Sequence, residues 1–266
     1  MELIKKQIHM NQWKGNVTTQ ITLDDDFIVP DTLDDMEQVM LDTGEIQIET
    51  VKNQGDKVAV KGKLEFQVLY RKESGGLQTL GGNIPFEEVV NVQGLEEKDY
   101  VGLNWMLEDL NTDMINSRKL GVQAIITLQV RVETLRDVEA AVDVDMENNS
   151  RPAGAGMSDT DGAGQVQVET LKRTANAAAI AVRRKDTYRI KEELSLTGGK
   201  PNIGQLLWRE MKLRDVTAKP LDGRLHLDGE LSVFVIYGAE DENMPVQWLE
   251  ETIPFSGDME MGDVKE

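Results

Sequence analysis

From Val58 to Tyr70 apolar side chains recur two residues apart, at Val58, Val60, Leu64, Phe66, Val68 and Tyr70, with Lys61, Lys63, Glu65 and Gln67 between them. Period two is the mark of a strand with one buried and one wet face. Gly62 keeps this register but leaves a gap on the buried side. The turn "KESGGL" reverses the chain, and Leu77 to Phe86 returns beside it as a hairpin. The longest alternation is Leu120, Val122, Ala124, Ile126, Leu128, Val130 and Val132. A shorter one, Val101, Leu103, Trp105 and Leu107, precedes it, so residues 100–134 read as two further antiparallel strands with Trp105 facing the core. One segment has helical spacing instead. In "PDTLDDMEQVMLDTG", Leu33, Met36, Val39 and Met40 share a helical face, Thr32 is placed to cap it, Asp34 and Asp35 suit its first turn, and Gly44 would end it. A helix of about three turns is expected there.

The pattern then repeats. An offset of 167 residues lays Leu23 on Ile190, Phe27 on Leu194, Val29 on Leu196, Met36 on Ile203, Gln38 on Gln205, Gly62 on Gly229, Leu64 on Leu231, Val68 on Val235 and Tyr70 on Tyr237. Two more residues in the second hairpin loop align Asn83 to Phe86, "NIPF", with Thr252 to Phe255, "TIPF". Alternating strands match one another easily by chance, but one offset held across several elements and a turn marks a duplicated module.

Residues 1–145 therefore form a first module, 146–165 a Gly/Ser/Asp-rich linker, and 166–266 a second, shorter module. The start of that second module, including its alanine run, has mixed strand and helix character. The first module continues about 50 residues past "IPF" and the second about a dozen. That leaves a second module completed by another chain or a sequence that is a fragment, and the exposed edge of an incomplete sheet favours the fragment. The fold class expected is all-β or β-rich, with tandem antiparallel β-sandwich-like modules, each carrying a short helix.

Charge and composition narrow the function. The 266 residues hold 48 Asp and Glu against 29 Lys and Arg, a formal charge of −19, which repels nucleic acid and anionic membranes. There is no cysteine, hence no disulfide, thiolate nucleophile or cysteine-based zinc site. No stretch approaches the roughly 18 apolar residues of a membrane helix and the N-terminus lacks a signal-peptide core, so the chain reads as soluble and cytoplasmic.

The run from Met10 to Leu95, "MNQWKGNVTTQITLDDDFIVPDTLDDMEQVMLDTGEIQIETVKNQGDKVAVKGKLEFQVLYRKESGGLQTLGGNIPFEEVVNVQGL", resembles the SPOCS-domain family of endospore-forming Firmicutes, and Glu192 to Phe255 resembles the same domain in divergent form. Members commonly carry two or three such modules followed by a LysM domain. Nothing in this chain reads as LysM. The resemblance implies a noncatalytic scaffold of spore coat or envelope assembly that docks proteins through its β modules. Its expected partner is a coat-basement ATPase of the SpoIVA type, with self-association also in view, on the mother-cell side of the forespore surface if the host sporulates. The family defines no catalytic motif to carry over.

No catalytic, cofactor or metal residue is assigned from the sequence, and no cofactor is expected. His226 lies between Leu225 and Leu227 and so on the solvent side of its strand, and His9 has no recognisable partner. HExxH, GxSxG and Walker glycine loops are absent. Asp24, Asp25, Asp26, Asp31, Asp34 and Asp35 invite a Ca²⁺ reading, but the second copy begins Lys191, Glu192, Glu193, and a solvated acidic edge is preferred. "DTDG" at Asp159 to Gly162 opens like a calcium loop without its closing Glu. The pairs Glu87 with Glu88 and Glu250 with Glu251 raise a glycosidase reading, and Arg183, Arg184 and Lys185 a phosphate site; both read better as solvated surface. Trp208 follows Leu206 and Leu207 into the core, whereas Trp13 and Trp248 stay undecided. Exposed tryptophans beside a groove would instead indicate a carbohydrate-binding module.

Overall fold

A computed structural model describes residues 2–145, 182–196, 198–240 and 245–262. The expected linker, the alanine run after it and the Asp159 to Gly162 segment lie outside these. Among the described residues there are nine strands: β1 (Glu2–Ile28), β2 (Met36–Asn53), β3 (Lys57–Lys72), β4 (Leu77–Asn91), β5 (Tyr100–Asn116), β6 (Lys119–Asp145), β7 (Ile203–Leu221), β8 (Arg224–Ala239) and β9 (Val246–Glu260). They form three sheets, ordered β1-β6-β5, β2-β3-β4 and β7-β8-β9. The all-β expectation holds, and the short helices do not occur among the described residues.

The segment read as a helix is a turn followed by β2. Two register shifts explain the misreading: β-bulges between Met36 and Gln38 and between Val39 and Leu41 each insert one residue against β3. A bulge moves the inward set from even to odd positions and back, so apolar side chains three apart sit on one face of a strand and imitate helical spacing. The turn before β2 is closed by Leu33 N–H donating to the Pro30 carbonyl at 2.9 Å.

The chain divides into two compact units. One comprises residues 1–13 and 134–181, the other 14–133 and 182–266. In the first, the outer lengths of β1 and β6 are tied by exposed pairs, Lys5 with Glu139 at 3.1 Å and His9 with Asp137 at 2.5 Å. In the second, the sheets β1-β6-β5 and β2-β3-β4 enclose one apolar core. Its floor is β6, where Leu120, Val122, Ala124, Ile126, Leu128, Val130 and Val132 are each at most 2% exposed. Its roof is β3, with Val58, Val60, Leu64, Val68 and Tyr70 at 0%. Each such Val or Leu contributes roughly 1.5–3 kcal/mol relative to an exposed position.

The gap left by Gly62 is filled from the neighbouring strand. Gly62 pairs with Phe86, and a Cβ there would lie 2.8 Å from Phe86 Cζ and 2.7 Å from the Gln47 carbonyl oxygen. The ring therefore lies over the bare glycine and seals that stretch of core.

The repeat is structural. β2 and β7, like β3 and β8, begin at an offset of 167 residues, and β4 and β9 begin and end 169 apart. The first two bulges recur at Ile203/Gln205 and Leu206/Trp208. Phe255 pairs with Gly229 as Phe86 does with Gly62. Tyr70 and Tyr237, both 0% exposed, donate their hydroxyls to the carbonyls of Asp34 (3.0 Å) and Pro201 (3.2 Å), themselves 167 apart. For Tyr70, burial pushes the phenol pKa up, and the Asp34 charge adds to the shift.

Candidate docking surface

The acidic cluster near Asp31 is organised around cations of the protein itself. Arg118, in the β5–β6 turn, donates from Nη1 to the Leu33 carbonyl at 2.8 Å and to Asp35 Oδ1 at 3.0 Å. From Nη2 it donates to the Val29 carbonyl at 2.9 Å and to Asp31 Oδ1 at 3.1 Å. A planar guanidinium with several fixed donors is suited to gathering carbonyls and carboxylates in this way. Backbone bonds support it, from Val29 N–H to the Arg118 carbonyl and from Met36 N–H to the Ser117 carbonyl. Asp26 pairs with Lys119 at 2.5 Å and Asp34 with Lys72 at 3.0 Å. The Lys72 hydrogen bond, then that of Ser74, lowers the Asp34 pKa. Asp24 accepts from Gln123 at 3.3 Å. The cluster thus sews the β1–β2 connection to the β5–β6 turn, and among the described residues no group of three acids or histidines is arranged to hold a metal.

Several of the other candidates also resolve into local pairs. His226 lies opposite Asp258 on β9, with Nδ1 at 2.6 Å from Asp258 and Nε2 at 3.2 Å from Asp228. The Asp258 hydrogen bond raises the His226 pKa and reciprocally lowers that of Asp258. It sits on the polar side, as its flanking leucines imply, yet half-buried and paired. His9, expected to lack a partner, has Asp137. Glu87 pairs with Lys61 at 2.9 Å. Glu87 with Glu88, and Glu250 with Glu251, are strand neighbours on β4 and β9 and so point to opposite faces, which prevents either pair from converging on one substrate. In the basic run, Arg183 pairs with Glu133 and lies 3.9 Å over the Tyr100 ring, while Arg184 pairs with Asp186 at 3.2 Å.

Of the tryptophans, Trp208 is buried at 4% with Leu207 and Leu69. Trp105 corrects an expectation. It pairs with Leu128 and shares its face, but is 47% exposed because β5 is the edge strand of its sheet. Periodicity gives the face of a residue and not its distance from the edge. Trp13 and Trp248 are exposed at 57% and 55%. Trp248 lies 6.4 Å from the Phe234 ring, whose side chain lines a shallow groove with Glu210, Lys212, Arg214, Ser232 and Glu250. Lys200 Nζ sits 4.7 Å from the Trp248 ring centre.

The feature that sequence reasoning missed is the inner face of β7-β8-β9. Met36 and Ile46 are 0% and 7% exposed in the first copy, whereas their counterparts Ile203 and Leu213 are 46% and 64% exposed. Where Gly44 meets Leu64, Leu107 and Leu110, the second copy places Met211, 58% exposed. Leu231, Val235, Ile253 and Phe255, counterparts of fully or nearly buried residues, are only half-buried. Residues 182–196 cross part of this face, with Tyr188 against Phe255 (ring centres 6.0 Å apart) and over Gly257. The signal that would have found the face was present: the apolar side chains of the second copy match those of the first, while β5 and β6, which help to cover the first, have no match among the described residues.

A family model described as "SipL, SPOCS domain" matches residues 35–115 and 202–266, just over half of the chain. No curated protein and no solved structure matches.

Proposed function

Since the chain belongs to the SPOCS-domain family, we propose that it is a noncatalytic scaffold of spore-coat or cell-envelope assembly, working by docking proteins onto its β modules. The observation that carries this reading is the uncovered inner face of β7-β8-β9, with Leu213 at 64% and Met211 at 58% exposed. Contiguous exposed apolar surface of this kind marks protein interaction sites. Support also comes from the local pairing of His9, His226, Glu87 and most of the acidic cluster, which engages them in holding the fold. The partner we expect is a coat-basement ATPase of the SpoIVA type, met on the mother-cell side of the forespore, with self-association as a further mode. The test is imaging of a fluorescently tagged gene product in its host through sporulation. A shell around the forespore is the expected result, and diffuse fluorescence throughout would reject the spore-coat reading.

Binding of cell-wall glycans is the second reading, favoured by the exposed Trp248 beside its shallow groove. Lys200 over the ring opposes it, because that cation occupies a stacking face. Retention of the protein on insoluble cell wall, abolished by Trp248→Ala, would establish this reading; equal retention of both proteins would reject it.

A further inference from the structure

The two ring nitrogens of His226 each face a carboxylate. Nδ1 lies 2.6 Å from Asp258 Oδ1 across the strand pair, and Nε2 lies 3.2 Å from Asp228 Oδ1 two residues along β8. A neutral imidazole carries one N–H and one lone pair, so it donates to one carboxylate and turns a lone pair on the other. Only the imidazolium donates to both. The neighbouring charges on this face are Lys219, opposite His226 on β7, Arg224 on β8, and Glu260, opposite Arg224 on β9. Arg224 Nη1 lies 2.9 Å from the second Asp258 oxygen. The first copy has no ionisable pair at this row. Where the second sheet sets His226 opposite Asp258, the first sets Ala59 opposite Val89, and where it has Asp228 the first has Lys61, paired with Glu87. The duplicated ladder does not need this pair; what the pair adds is sensitivity to pH.

The same stretch of β9 holds a further segment. Tyr188 donates its hydroxyl to the Ser256 carbonyl at 2.8 Å, and its ring lies over Gly257 and beside Phe255. Arg184 donates from Nη1 to the Glu260 carbonyl at 3.1 Å. Ser256 and Glu260 flank Asp258 two residues to either side, so the aspartate sits between both anchors. Residues 184–188 have no strand pairing among the described residues, and side-chain bonds of this kind hold them. We infer that His226 is a pH-sensitive latch: as imidazolium it pins residues 256–260 to β8 and so steadies the strap 184–188 beside Phe255, and on losing its proton it loosens both. The Asp258 hydrogen bond raises the His226 pKa above the ordinary 6.5. A group whose pKa rises on folding contributes stability below its unfolded value and loses it as pH climbs through the folded one. Asp258, whose pKa His226 lowers, stays ionised over that range. The latch is thus closed in mildly acidic solution and opens as pH rises past 6.5 through the raised value. It operates whatever docks on the sheet.

The test begins with the imidazole titration of the whole chain by proton NMR, where the two histidines are told apart with His9→Gln. His226 is expected to titrate above 6.5. Hydrogen exchange in 184–188 and 256–260 is then compared between the parent protein and His226→Gln at equal pH, about two units below and about two above that midpoint. Comparison at equal pH removes the intrinsic pH dependence of exchange. Below the midpoint the parent is expected to be roughly threefold better protected in both stretches, the scale of one exposed ion pair. Above it the two proteins should agree. His226→Ala combined with Asp258→Val installs the first copy's pair, and its protection relative to His226→Gln is expected to be the same at both pH values. A parent-to-variant ratio that does not change with pH, a His226 midpoint at or below 6.5, or a change confined to 256–260 would each overturn the latch. So would a double variant that follows the parent.

Discussion

At Gly62 and Gly229 the same residue meets the same aromatic partner in different surroundings. A Cβ on Gly62 would be caught between the Phe86 ring and the Gln47 carbonyl, and backbone cannot yield as a side chain can. On Gly229 the three nearest atoms it would meet all belong to the Phe255 ring, the closest 2.6 Å away, and that ring is a half-buried side chain that can yield. Gly62→Ala is therefore expected to cost about 1–3 kcal/mol, the usual range for overpacking a core. Gly229→Ala is expected to cost well under half as much. Urea unfolding of the two variants beside the parent protein checks this, and equal losses would mean that the second sheet is covered as fully as the first. The repeated glycine was visible in the sequence. The ring that fills its gap was not, because cross-strand pairing joins residues 24 apart in one copy and 26 in the other.

The β1–β2 connection shows what holds an irregular element in place. Its carbonyls at Val29 and Leu33 accept from Arg118, and Asp31 and Asp35 anchor the same guanidinium. Arg118→Gln should lower stability by about 1–3 kcal/mol, the scale of hydrogen bonds to a charged group. Arg118→Lys should recover little of this, since an ammonium cannot reach four oxygens with a planar fork. Denaturant midpoints for the two variants decide it, with full rescue by lysine counting against the clamp. Elements with an unbroken period, β3, β6 and β8, were legible from the chain alone. β2 and β7 were not, because bulges shift their parity twice within a few residues. β1 escaped for another reason: Gly15 and Thr19 share its inward register with Val17, Ile21 and Leu23, so the apolar signal is diluted. The docking face stayed hidden because it is an absence of cover, and hydropathy reports only which side chains prefer to be covered.

At the scale of the whole molecule, an uncovered apolar face coexists with a formal charge of −19 and an isoelectric point near 4.6. Repulsion between like-charged copies holds such faces apart at low salt and neutral pH. Light scattering is expected to show growing self-association as pH falls toward 4.6, or as salt nears about 1 M, where screening acts within about 3 Å. Leu213→Glu should suppress it; association equal in parent and variant would assign it to another surface. The fixed offset between the two sheets has a genetic corollary. Because β2 and β7, like β3 and β8, begin 167 residues apart and share their first two bulges, an unequal crossover between equivalent codons, at Gly62 and Gly229 for instance, joins one half-sheet to the other in frame. The recombinant strand keeps its ladder, its bulges and its glycine beneath a phenylalanine, and the longer product, which repeats residues 63–229, retains every strand around the first core, whereas the shorter one loses β6 and with it the floor of that core.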